Sequence, residues 1–122
     1  MTVAEVQVYF PTDGSTLDDD GKAALDELAT ATSGAEGYLI EVAGYTSNTG
    51  SEEHNQRLSE DRAATVVHYL IEKGNVPILR IVVPAGFGKT HPAADNSGTL
   101  GRALHRRVDV KVLLNRGSHE GD

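Results

Sequence analysis

The chain has 122 residues, a formal net charge of −7 and no cysteine. This length makes one domain with room for a self-sufficient core, and the missing cysteines exclude disulfides, thiolate catalysis, iron–sulfur clusters and cysteine-ligated zinc. With 39% apolar and 24% charged residues the composition is that of an ordinary folded domain, and its acidic balance disfavours nucleic-acid binding, which needs a basic face.

Residues 3–10, VAEVQVYF, alternate loosely and predict a first strand. Pro11 to Gly14 breaks it. Thr16 is placed to cap a helix whose first turn carries Asp18, Asp19 and Asp20, with Leu17, Ala24, Leu25, Leu28 and Ala31 as its apolar stripe and Gly34 near its end. Residues 38–43, YLIEVA, predict a second strand, which runs into the polar loop 44–50. Ser51 then caps a second helix, with Glu52 and Glu53 in its first turn. Ala63, Val66, Val67, Leu70 and Ile71 form its buried face, and it stops at Gly74. Pro77 introduces a third strand over 78–85. Residues 86–101 read as loop, and 103–114 as a last strand. There Leu104, Arg106, Val108, Val110, Val112 and Leu114 point one way, and His105, Arg107, Asp109, Lys111 and Leu113 the other.

The order βαβα followed by two strands predicts an α/β (α+β) two-layer sandwich, a mixed sheet with both helices on one face. One domain covers residues 1–114, and 115–122 is expected to be a frayed polar tail. No stretch approaches the roughly 18 apolar residues of a membrane span. No signal peptide opens the chain, which suits a cytosolic protein or a domain of a longer secreted or membrane-anchored one. Charge is uneven along it. Residues 1–61 hold 13 acidic and 2 basic residues, net −11, and residues 62–122 hold 5 acidic and 9 basic, net +4. The first half reads as a solvated acidic surface.

Most catalytic and cofactor chemistry finds no support. Gly86-Phe87-Gly88-Lys89-Thr90 looks like the end of a phosphate loop. The glycine expected five residues before Gly88 is Val83, though, and the segment leads into His91-Pro92 rather than a helix. His54, His68, His91, His105 and His119 show no metal-ligand spacing, and no Gly-x-Ser-x-Gly turn offers a nucleophile. The expectation is no enzyme, no metal and no cofactor. The second helix is more informative. Asn55, Ser59 and Arg62, at spacings of four and three, share one helix face that begins just after the polar loop. Loop N–H groups at a helix N-terminus suit an anion, and the guanidinium of Arg62 matches a carboxylate in bidentate fashion. Arg106 falls on the apolar side of the last strand and needs a partner or a pocket. Two readings stand level at this point. Either these residues line a pocket for a small anionic group such as a peptide carboxylate, or Arg62 pairs with an acid such as Glu60 while Arg106 sits at the sheet end in water.

Gly44-Tyr45-Thr46-Ser47-Asn48-Thr49-Gly50, Asn55 and Leu58-Ser59-x-x-Arg62-Ala63 resemble the pattern G-[HY]-T-D-x-x-G…N…LS-x-x-RA. Gly86-Phe87-Gly88, Pro92, Asn96, Gly101-Arg102 and Arg106-Arg107-Val108 are similar to G-x-G…P…N…GR-x-x-NRRV. Both patterns belong to the OmpA-like C-terminal domain, the family of OmpA, MotB and the peptidoglycan-associated lipoprotein, and the resemblance spans about residues 6–112. It implies non-covalent binding of peptidoglycan through the diaminopimelate residue of its stem peptide, and a periplasmic domain anchoring an outer-membrane or membrane-attached protein to the wall. It implies attachment through a region upstream of Met1, and it is compatible with a homodimer. Thr46, Ser47, Asn48, Asn55, Leu58, Arg62 and Arg106 are the ligand-binding positions it implies, Arg62 gripping the ligand's carboxylate. The chain departs from the pattern at three places. Ser47 replaces the acid that faces the ligand's ammonium, Pro11 falls where a second acid is often found, and His105 replaces the asparagine of NRRV. Asp13 is a candidate substitute acid. The alternative reading is a relative that has lost peptidoglycan binding and serves as a protein-interaction module.

Overall fold

The computed structural model describes residues 2–46, 51–82 and 106–114. Alternating Ala4, Val6 and Val8 turn one face of β1 (Thr2–Tyr9) toward the core. Next comes α1 (Asp19–Thr32), which is capped by Asp18 rather than Thr16: the Asp18 carboxylate accepts from the Gly21 N–H at 2.8 Å. Of the three successive acids, the first lies one turn ahead of that N–H, whereas Thr16 is two residues further back in the connection. Leu25, Leu28, Ala29 and Thr32 form the buried stripe at helical spacing, so Ala31 faces solvent instead of the core.

The core-facing residues of β2 (Tyr38–Gly44) are Tyr38, Ile40 and Val42. Ser51 caps α2 (Glu52–Glu72), its hydroxyl accepting from the His54 N–H at 3.1 Å. Each cap saturates an otherwise orphaned N–H beside acids that favour the helix dipole. Asp18→Ala and Ser51→Ala should each lower stability by about 1 kcal/mol, read as a shift of the thermal midpoint. Past the end of α2 the left-handed residue is Asn75, with φ of 57°, not Gly74; asparagine is among the few residues that adopt this conformation readily.

The third strand starts later than the sequence pattern predicts. Ile78–Arg80 form a 3-10 turn closed by the Arg80 N–H on the Pro77 carbonyl, and β3 is Ile81–Val82. Pro77 fixes its own φ and has no N–H to donate, which favours a tight turn there over a ladder. The last strand, β4 (Arg107–Leu114), carries the predicted alternation, with Val108, Val110 and Val112 buried. The predicted strand residues 83–85 and 103–105, the loop 86–101 and the tail 115–122 lie outside the described residues.

Strand order is β1-β4-β2-β3. β4 runs antiparallel to both β1 and β2, while β3 runs parallel to β2. The sheet is therefore mixed, as predicted, with α1 and α2 packed on one face over Val8, Ile40, Val42, Val66, Leu70 and Val110.

Candidate functional site

This topology gathers three chain segments at one end of the sheet. β1 and β2 both end there, and the antiparallel β4 starts there. Phe10 to Gly14, Tyr45-Thr46 and Arg106 thus converge beside the first turns of α2. Gly44 permits the close approach. A Cβ at this position would stand 2.1 Å from the Ser59 carbonyl oxygen, so the backbone of α2 rests directly on the end of β2.

Arg62 is the centre of the arrangement. Its side chain has no exposed surface. Nε donates to the Gly14 carbonyl at 2.8 Å, one terminal nitrogen to the Tyr45 carbonyl at 3.1 Å and the other to the Pro11 carbonyl at 2.9 Å. The guanidinium also lies over the Phe10 ring, 5.4 Å from its centroid. The acid pairing considered for Arg62 is not made: Glu60 instead accepts from Gln56 at 3.0 Å. Burial, helped by the nearby charge of Arg106 and opposed by Asp13, brings the guanidinium down to about 10. It therefore remains charged at neutral pH. Three of its five N–H groups hold the frame.

Arg106 is half-buried rather than bathed in water, and its Nε donates to the Phe10 carbonyl at 3.0 Å. A pocket at this end is lined by Thr12, Asp13, Thr46, Asn55, Leu58, Arg62 and Arg106. It brings together five of the sequence-predicted positions; the other two, Ser47 and Asn48, lie outside the described residues. The pocket is about 10 Å³, room for one water-sized group. Asn55, Leu58 and Thr46 are buried around it, and the Thr46 Oγ1 has no hydrogen-bond partner among the described residues. Asp13 stands at its rim on a tight turn, with φ of 57° and the Gly14 N–H closed onto the Pro11 carbonyl. One oxygen of its carboxylate lies 3.0 Å from His54 Nε2. Two cations and one carboxylate thus face a small polar hollow.

Two features went unread in the sequence. Thr12 lines the pocket, and the run Pro-Thr-Asp-Gly is a turn signal that could have placed it. On the outer face of the sheet, Arg107 is buried. Its Nε and one terminal nitrogen reach the Asp109 carboxylate at 2.8 and 3.4 Å, and it stacks over the Tyr45 ring at 4.1 Å. An arginine and an aspartate two apart on a strand share a face, which is a legible signal. Burial, with Asp109 beside it, raises the Tyr45 hydroxyl. Larger clefts, about 320 and 340 Å³, lie between the helix C-termini, where Arg80 is tied to Tyr38 through its carbonyl and its ring. Among the described residues no three His, Asp or Glu side chains could share a metal ion.

A profile of the OmpA family matches residues 9–106. The chain belongs to the OmpA family. Outer membrane protein A of Bordetella avium is 36% identical over 114 residues, 93% of this chain. The chain spans 58% of the length of that protein, so this relative is considerably longer than the OmpA domain described. Among solved structures, the peptidoglycan-associated lipoprotein of Burkholderia pseudomallei superimposes with a TM-score of 0.80 at 26% identity, covering 87% of this chain and 88% of that one. The C-terminal domain of Helicobacter pylori MotB shares the fold alone, with a TM-score of 0.81 at 19% identity over 95% and 90% of the two chains. The names of these OmpA relatives refer to the envelope and to wall association, and none refers to a catalysed reaction. No helix among the described residues is long and apolar enough to cross a membrane.

Proposed function

We propose that this domain binds peptidoglycan without chemistry, taking the diaminopimelate end of a stem peptide at the Arg62 pocket, and so anchors a periplasmic part of an envelope protein to the wall. The observation that carries this reading is the make-up of the pocket lining, in which Arg62, Arg106 and Asp13 meet at one hollow. A diaminopimelate terminus is a zwitterion, and its carboxylate and ammonium call for a cation and an anion in one site. The unpartnered Thr46 hydroxyl gives the bound group one more donor or acceptor. The hollow admits one small group, so the ligand's carboxylate enters and the rest of the peptide lies over the rim.

The roles divide by burial. Arg62 frames the pocket with three of its N–H groups and offers the ligand what remains. Among the described residues Arg106 spends only its Nε on the frame, and it presents its fork to the ligand. Asp13 takes the ammonium that the family's acid would take at Ser47. NMR titration of the labelled domain with a diaminopimelate-containing stem peptide tests this. Shifts should cluster on residues 45–62 and Arg106. Arg106→Ala and Asp13→Asn should each weaken binding by about tenfold or more, as expected for a lost charge-assisted contact of roughly 1.5–3 kcal/mol. No shifts at millimolar peptide would refute the reading.

Ser47 and Pro11, standing where family acids are found, favour a second reading, a module that has given up the wall and binds a protein partner. Ser47→Asp separates the two. Binding that appears only in that variant would show an intact fold with a lapsed site.

A further inference from the structure

The sheet has a second face, and no helix or strand among the described residues lies over it. At the pocket end of this face, Tyr9 of β1 stands in register with Arg107 of β4. Tyr9 is 46% exposed. Arg107 lies flat over Tyr45 on the other side, its charge balanced by Asp109. Gln7, exposed on the same face, is in register with Asp109, and its amide donates to the exposed Glu5 carboxylate at 3.0 Å. The result is a row of aromatic and polar groups, three strands wide.

We propose that this row seats the sugar chain from which the bound peptide hangs, an inference that rests on the peptide reading of the pocket. A pyranose ring presents a face of C–H bonds that packs on an aromatic ring, and an edge of hydroxyl and amide groups that suits amide and carboxylate partners. The exposed Tyr9 ring supplies the first. The exposed Gln7–Glu5 pair supplies the second.

Reach supports the same occupant. Two residues separate diaminopimelate from the sugar in a stem peptide, so the connection spans roughly 10 Å at about 3.3 Å per residue. Tyr9 lies three residues from Thr12, Tyr45 adjoins Thr46 and Arg107 adjoins Arg106, so the row begins within that distance of the pocket's lining. The path leads around the end of the sheet, from the helix side to the opposite face.

Calorimetric titration with two probes tests this, a free tripeptide ending in diaminopimelate and the same tripeptide on its N-acetylated disaccharide. The wild-type domain should bind the disaccharide form more tightly, by roughly fivefold if one ring stacks on Tyr9. Tyr9→Ala should remove that preference and leave affinity for the free tripeptide unchanged. Equal affinity of the wild type for both probes would overturn the proposal while leaving the peptide reading intact. So would a preference that survives Tyr9→Ala. Failure of both probes to bind would refute the pocket reading and this one with it. A Tyr9→Ala variant that keeps its sugar preference but shifts a monomer–dimer equilibrium in sedimentation would assign the face to a second copy of the chain.

Discussion

Replacing Arg62 with leucine should cost about 4 kcal/mol, a large share of the roughly 5–15 kcal/mol that holds a domain folded. Leucine matches the apolar stem but leaves the carbonyls of Pro11, Gly14 and Tyr45 without the donor that now serves all three. The Pro11 carbonyl would keep the Gly14 N–H at 3.1 Å, so the loss falls chiefly on the Gly14 and Tyr45 carbonyls and on the tie between the three segments. Arg62→Lys should recover only part of the loss, because an ammonium cannot reach three divergent acceptors from one point. Urea unfolding followed by circular dichroism measures both. A loss under 1 kcal/mol for the leucine variant would show that the three bonds contribute little to folding. The expected size of the effect also makes Arg62→Ala a poor probe of binding, since it removes the pocket along with the proposed ligand contact. Arg106→Ala is the cleaner test.

Gly44→Ala should be comparably severe, at about 3 kcal/mol or more. The added methyl group would meet the Ser59 carbonyl oxygen at 2.1 Å and its carbon at 3.0 Å, both backbone atoms inside α2. Neither can swing aside as a side-chain tip would, so the helix must lift from the sheet. Differential scanning calorimetry should show a lower midpoint. A ¹⁵N spectrum should show changes spread along Asn55–Ala63, not confined to residue 44. A wild-type midpoint would mean that α2 and β2 are not pressed together at this position.

Much of the fold was legible in the sequence because its elements are set by local pattern. Alternation marked β1, β2 and β4, a cap residue ahead of acids marked each helix start, and two βα units predicted helices on one face. The misreadings fall where local choices compete. Thr16 and Asp18 are both competent caps, and only the reach of a carboxylate to Gly21 separates them. Ile78–Arg80 have strand-forming side chains, but the proline before them decides the backbone. The site was legible in part. Asn55 and Arg62 were read from helical spacing, and Arg106 from strand parity. The sequence did not reveal what Arg62 touches, because its partners are backbone carbonyls 17, 48 and 51 residues away. A carbonyl belongs to every residue type and leaves no signature in the sequence.

That knot of carbonyls bears on how a domain of this kind can change its trade. The arginine that lines the pocket is also the one that ties the fold together, so selection for folding preserves it after any selection for wall binding has ended. Its presence in a sequence therefore testifies to architecture, not to occupation. Positions with a lighter share of that double duty, such as Asp13 and Arg106, are the ones that can drift if such a ligand is abandoned. In a lineage of such domains, the history of binding is written at those positions.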